Sequence, residues 1–142
     1  AEYALRAVVC LASNPDQSMT TQDIAKITKV PSGYLSKVLQ ALARGNIVKS
    51  QRGLHGGFVL TEDPEEISVL QVVQTVDPIK HIEKCPLNLE SHSHQLCPLH
   101  RRLEESIQKI EDDFAKVSLA QLLDDPANEK PICEMDTHSG KK

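Results

Sequence analysis

Two cysteines and four histidines crowd one short part of the chain: His81, Cys85, His92, His94, Cys97 and His100. Thiolate and imidazole are donors for soft and borderline metals, and two thiols on one segment can instead be joined by oxidation. Eleven residues lie between Cys85 and Cys97, so the tight Cys-x-x-Cys spacing of a zinc site is missing. Iron–sulfur ligation, thiol–disulfide chemistry and zinc are the three chemistries that compete for these thiols. His92 and His94 read as solvated loop residues, and His100 as either a ligand or decoration of a helix start. Cys10 falls in an apolar run and is expected to be a buried thiol acting as a small hydrophobe. Cys133, in a polar tail, is expected to be a free thiol. Four cysteines without an export signal fit a reducing cytosol, so the expected location is cytoplasmic. No run is long and apolar enough for a membrane span. The chain opens at Ala1 inside an amphipathic pattern, and a few residues are expected to precede it.

The chemistry-bearing residues lie on a stretch, 78–97, that shows neither helical nor strand periodicity. A loop of this length inside a small domain usually has a function or is loose. Beyond Pro98 the pattern is plain. Leu99, Leu103, Ile107, Ile110, Phe114 and Val117 step by four and three, a coiled-coil type of seam flanked by charges. Ser118 then caps a short helix carrying Leu119, Leu122 and Leu123.

Upstream, Thr20 to Asp23 is a helix-start signature, and the turn at Lys29-Val30-Pro31 breaks that helix. Ser32 is expected to cap a second helix with Leu35, Val38, Leu39 and Leu42 buried. Tyr34, Ser36, Lys37, Gln40 and Arg44 fall on its opposite face, and Gly45 is expected to end it. Two helices with so short a turn form a helix-turn-helix. Residues 47–51 and 58–60 read as paired strands around the glycine-rich turn Arg52 to Gly57, which makes a wing. A first helix, roughly 2–12, packs behind this unit, and Ser68 caps a β-branched helix ended by Asp77-Pro78.

The expected fold is therefore mainly α with a small β-wing: a winged helix-turn-helix (1–77), a Cys/His sensor loop (78–97), a dimerisation helix with a short C-terminal helix (98–124), and a polar tail (125–142). The charge divides accordingly. Residues 1–60 carry seven Lys/Arg and three Asp/Glu, a net of +4, whereas 61–142 carry a net of −8. A basic front on an acidic body orients a molecule on a polyanion, and so modest a positive charge argues for two copies acting together. No phosphate-cradling glycine loop, nucleophile elbow or suitably placed acid pair is present, so an enzyme is not expected.

Tyr3-Ala4-Leu5-Arg6-Ala7, Ser32-Gly33-Tyr34-Leu35, the wing Arg52-Gly53-x-x-Gly56-Gly57-Phe58-x-Leu60 and a cysteine loop before a long helix stand together in this chain. In these the sequence resembles the bacterial winged-helix transcriptional regulators of the IscR/NsrR/RsrR/CymR superfamily, over about Glu2 to Asp124. The resemblance implies a homodimer on an inverted-repeat operator in double-stranded DNA, with long helices crossing between subunits. Tyr34, Ser36 and Lys37 then face the major groove and Arg52 the minor groove; Ser32, Gln40 and His55, the last either near phosphate or a plain turn residue, complete the expected DNA-binding set. The cluster-binding members carry three cysteines spaced by six, plus a non-cysteine ligand. Here the first is Cys85 and the third Cys97, but the middle position is Ser91. His100 matches the histidine ligand of the iron–sulfur cluster regulator. Glu2 stands where the nitric-oxide and redox sensors place a carboxylate from the other subunit, and Arg6 where the redox sensor has a histidine. The implied ligands of a [2Fe-2S] cluster are Cys85, Cys97 and one of His100 or Glu2, with the other, His92 or His94 covering Ser91. The resemblance equally admits a cluster-free regulator, controlled by thiol oxidation or by binding a metabolic enzyme.

Overall fold

Three of the helices begin on a reciprocal cap. In the computed structural model, which describes residues 1–126, Thr20 caps helix α2 (Thr21–Thr28), Ser68 caps α4 (Val69–Val76) and Ser118 caps α6 (Leu119–Leu123). In each, the hydroxyl accepts the backbone N–H three residues on, and Asp23, Gln71 or Gln121 accepts the cap's own N–H in return. A cap of this kind contributes about 1 kcal/mol, which matters most for helices this short. The remaining helices are α1 (Glu2–Ala12), α3 (Ser32–Arg44) and α5 (Pro98–Lys116). Nearly all of the 125–142 tail, Cys133 included, lies outside the described residues.

The apolar faces of α1, α2 and α3 meet in one core with α4 and α6, built on Val8, Ile24, Leu35, Leu39, Leu42, Val72 and Leu119. Aliphatic side chains fill it, as the scarcity of aromatics requires. Cys10 is buried there as expected, its Sγ 3.9 Å from Met19 Sδ, and burial pushes its thiol up to about 11. Strands β1 (Val48–Gln51) and β2 (Gly57–Leu60) pair antiparallel, Val48 opposite Leu60 and Gln51 opposite Gly57.

Two local expectations need correction. Ser32 is the first helical residue of α3 rather than its cap; Pro31 holds the cap position and no side chain bonds there. The fixed φ of proline already sets the entry, so a hydroxyl cap is not needed. Gly45 does end α3, but with φ −81°, and the left-handed residue is Asn46 at φ 59°. Gly45 is needed for room instead: a Cβ there would stand 2.3 Å from Thr75 Cγ2, where α3 crosses α4.

Residues 77–97 carry one 3-10 turn, Glu90–His92, and otherwise no regular structure. Helix α5 lies along α4, and its C-terminal end is stitched to the core by Val69 N–H to Val117 O and Leu119 N–H to Ile67 O, both 2.9 Å. None of its residues is fully buried. Leu99, Leu103 and Ile110 of the seam are 64%, 47% and 50% exposed, while Ile107, Phe114 and Val117 are half-buried. The seam is thus left largely uncovered by its own chain.

Candidate functional site

The side of α3 opposite its buried stripe is free of the core. Leu35 and Leu39 are fully buried, and the residues around them, Tyr34, Ser36, Lys37 and Gln40, stand in solvent with Ser32. Helical periodicity alone produces this division, because the buried pair fixes the opposite face. Tyr34 is braced rather than loose: its ring meets that of Tyr3 on α1 edge-on at 6.3 Å. The Arg6 guanidinium lies 5.7 Å from the Tyr3 ring centroid and donates to Thr28 O, at the end of α2. This group ties the start of α1 to both helices of the helix-turn-helix.

The wing tip is held at two points. Met19 and Phe58 exchange backbone bonds at 3.1 and 2.7 Å, and Ser18 Oγ donates to His55 O. Gly57 permits the first of these, with φ 154° and a Cα so near Met19 that a Cβ would lie 2.5 Å from its carbonyl. Arg52, Leu54 and His55 remain exposed at the tip. A positive side chain on a glycine-lined ribbon suits the negative potential of a minor groove.

In the 78–97 loop and the start of α5 the donors gather in pairs. Cys85 Sγ lies 3.8 Å from His92 Nδ1, and Cys97 Sγ 3.3 Å from His100 Nδ1. Cys85 is buried, and its thiol is held below the ordinary range, first by the backbone N–H of Leu89, then by His92 and the N–H of Leu87. The turn Cys85 to Asn88, closed by Asn88 N–H to Cys85 O at 3.0 Å with Asn88 at φ 51°, wraps these donors around the sulfur. Such N–H donors favour a thiolate, the form that binds metal or attacks an electrophile. Cys97 stands at the cap position of α5, next to Pro98. Ser91 and His94 are exposed. Glu2 accepts from Arg6 through Nη2 at 2.5 Å and Nε at 3.0 Å.

The donor chemistry of the two thiols and their imidazoles suits a cluster. Among the described residues, however, no group of three or more His, Cys, Asp or Glu side chains is arranged to hold a metal ion within one chain.

Sequence reasoning did not anticipate the group around His81, which joins Gln74 of α4 to Glu104 and Glu111 of α5. The only trace of it in the sequence is the seven-residue spacing of the two glutamates, which sets them on one face of α5.

A helix-turn-helix followed by a two-stranded wing defines a class of DNA-binding regulators. The chain belongs to the Rrf2 family, described as iron-dependent transcriptional regulators, whose model matches residues 1–125. A protein of Aquifex aeolicus (strain VF5) described as an HTH-type transcriptional regulator is 30% identical over 124 residues, 85% of this chain and 86% of its own. Among solved structures, T. potens IscR superposes with a TM-score of 0.75 at 22% identity, over 92% of this chain and 88% of that one. CymR, the global cysteine regulator of B. subtilis, gives 0.71 at 23% identity, over 85% and 90%. The structural likenesses establish the fold, and the family establishes transcription regulation by DNA binding, which is not enzyme work. No helix among the described residues is long and apolar enough to cross a membrane.

Proposed function

We propose that the protein is a homodimeric, cytoplasmic transcriptional regulator that grips an inverted-repeat operator and changes that grip with redox or iron–sulfur status. The observation that carries this reading is the coincidence of an uncovered recognition face with an α5 seam that its own chain leaves open. Two half-sites one helical turn apart require two reading heads, and paired α5 seams supply the coupling. Arg52 enters the minor groove while Ser32, Tyr34, Ser36, Lys37 and Gln40 meet the major groove, with His55 beside phosphate.

The sensing residues are Cys85 and Cys97, holding an iron–sulfur cluster of [2Fe-2S] type with His100 and Glu2 of the partner subunit. Bound there, a cluster supplies one-electron redox chemistry, and non-cysteine ligands raise its potential. For its own part the chain stabilises the Cys85 thiolate through the Leu89 and Leu87 N–H groups and orients His100 against Cys97. Glu2 has to leave Arg6 to serve as a ligand, and Arg6 bonds the end of α2. Ligation at Glu2 therefore reaches the helix-turn-helix through one side chain.

The pairing of donors favours a second reading, in which the loop works without metal. Cys85, a thiol with a lowered pKa beside His92, then reacts with oxidant and closes on Cys97. Anaerobic purification with iron and sulfide analysis separates the two. The cluster reading expects visible absorbance and stoichiometric iron and sulfide in wild type, lost in Cys85→Ala and Cys97→Ala. Colourless protein that forms an oxidant-dependent Cys85–Cys97 disulfide supports the thiol reading instead.

A further inference from the structure

His81 is held at both ring nitrogens. Nδ1 lies 2.5 Å from Glu104 Oε1, and Nε2 lies 2.8 Å from Glu111 Oε2. Ionised carboxylate oxygens only accept hydrogen bonds, so each contact needs a proton on the ring, and a neutral imidazole carries one. The two contacts together require the imidazolium. Each glutamate is also used on its other oxygen: Glu104 Oε2 accepts the Ile82 N–H at 2.6 Å, and Glu111 Oε1 accepts Gln74 Nε2 at 2.5 Å. Gln74 Oε1 in turn accepts the Ile79 N–H at 3.1 Å. Five bonds thus join α4, residues 79–82 and α5. His81 is the one member whose bonding capacity changes near neutral pH.

We propose that His81 is a proton-operated clamp, which fastens the segment leading into Cys85 onto α4 and α5. The clamp itself rests on this geometry, and only its effect on DNA affinity rests on the sensor reading. The charged groups facing His81 are Glu104 and Glu111 of α5. From α4 comes uncharged Gln74, and that helix (Val69–Val76) has no ionisable side chain. Lys80 and Glu83 are its nearest charged neighbours along the chain.

The His81 pKa is raised above 6.5, first by the bond to Glu104, with the charges of Glu104 and Glu111 adding and desolvation opposing. The Glu104 carboxyl is lowered, first by the Ile82 N–H and then by His81. Both shifts favour the charged pair. Because the folded pKa lies above the unfolded one, the His81 contribution is complete below 6.5 and is lost as pH rises through the folded value, while that of Glu104, with its lowered carboxyl, is lost only at acid pH below its folded value. The deprotonated ring then has one proton for two carboxylates, and its lone pair faces one of them. The segment loosens four residues before Cys85.

The test is an NMR titration of the full chain from acid to alkaline pH. It reads the His81 ring and the exchange of the Ile82 amide, corrected for intrinsic exchange. His81 is expected to titrate above 6.5, and Ile82 to lose protection by about tenfold for each pH unit of that excess. His81→Arg, charged throughout, is expected to keep Ile82 protected at alkaline pH, and His81→Gln to abolish the step. A His81 that titrates at or below 6.5, or an Ile82 amide indifferent to its titration, overturns the clamp. Operator affinity followed through the same pH series addresses the other reading. An intact Ile82 step with flat affinity upholds the clamp and overturns its link to DNA binding.

Discussion

Arg52 and Lys37 are both exposed and both basic, yet they are expected to fail differently. Replacing either by Ala is expected to remove a contact to the polyanion and to lower the slope of log affinity against log salt by about one counterion. Only a side chain that reads base edges or groove width changes sequence preference when lost. Fluorescence anisotropy over a salt series, on operator and on scrambled duplex, separates the two effects. Arg52→Ala is expected to weaken the operator more than the scrambled DNA, by about 1–3 kcal/mol. Equal losses on both duplexes make Arg52 a phosphate contact only. Cys10 offers a control at the same scale. Its burial and raised pKa predict no alkylation under native conditions, read by peptide mass spectrometry, until the chain unfolds. The sequence already indicated the Cys10 environment, because a thiol in an apolar helical run has few other options. It did not indicate His81, whose partners lie 23 and 30 residues away and meet it only once α5 has folded back along α4.

Among elements, the wing depends on a close backbone approach and α5 on a surface left open. Gly57→Ala places a methyl group against the Met19 carbonyl at φ 154°, where a side chain is strained anyway. The wing is expected to detach from residues 18–19, at a cost of about 1–3 kcal/mol, with a matching loss of operator affinity. Thermal unfolding and anisotropy check this, and an unchanged variant in both denies the wing its anchor. Leu103→Asp puts a charge into the α5 seam where the residue is 47% exposed in one chain. Sedimentation is expected to show monomers, with weaker operator binding and an unfolding temperature close to wild type. A dimer that survives Leu103→Asp removes the seam from the interface. The seam, the capping box of α2 and the Ser caps of α4 and α6 were readable from spacing, since these are local rules of three and four residues. The stop of α3 was only half readable. Gly45 marks the place, but the turn is made by Asn46, and glycine is kept there for Thr75, a residue thirty positions on.

At the scale of the molecule, the division of charge between a basic front and an acidic body fits a reading head carried by a body that faces away from DNA. The Rrf2-type architecture was legible because helix-turn-helix, wing and long helix come in chain order with local signatures. The proposed sensor was legible only as a set of donor types. Which donors meet depends on the fold of a loop without periodicity and, in the proposed dimer, on a second chain that no single sequence pairs with itself. The central claim is that the state of the Cys85–Cys97 loop sets the grip on DNA. Its most direct test compares anaerobically purified protein with the same protein after oxidation or cluster removal, at one salt concentration. The probe is a duplex selected by this protein from a random-sequence pool. A coupling of about 1–3 kcal/mol, or roughly 5–150-fold in affinity, is expected, and it should vanish in Cys85→Ala and Cys97→Ala. Equal affinity of the two forms contradicts the claim.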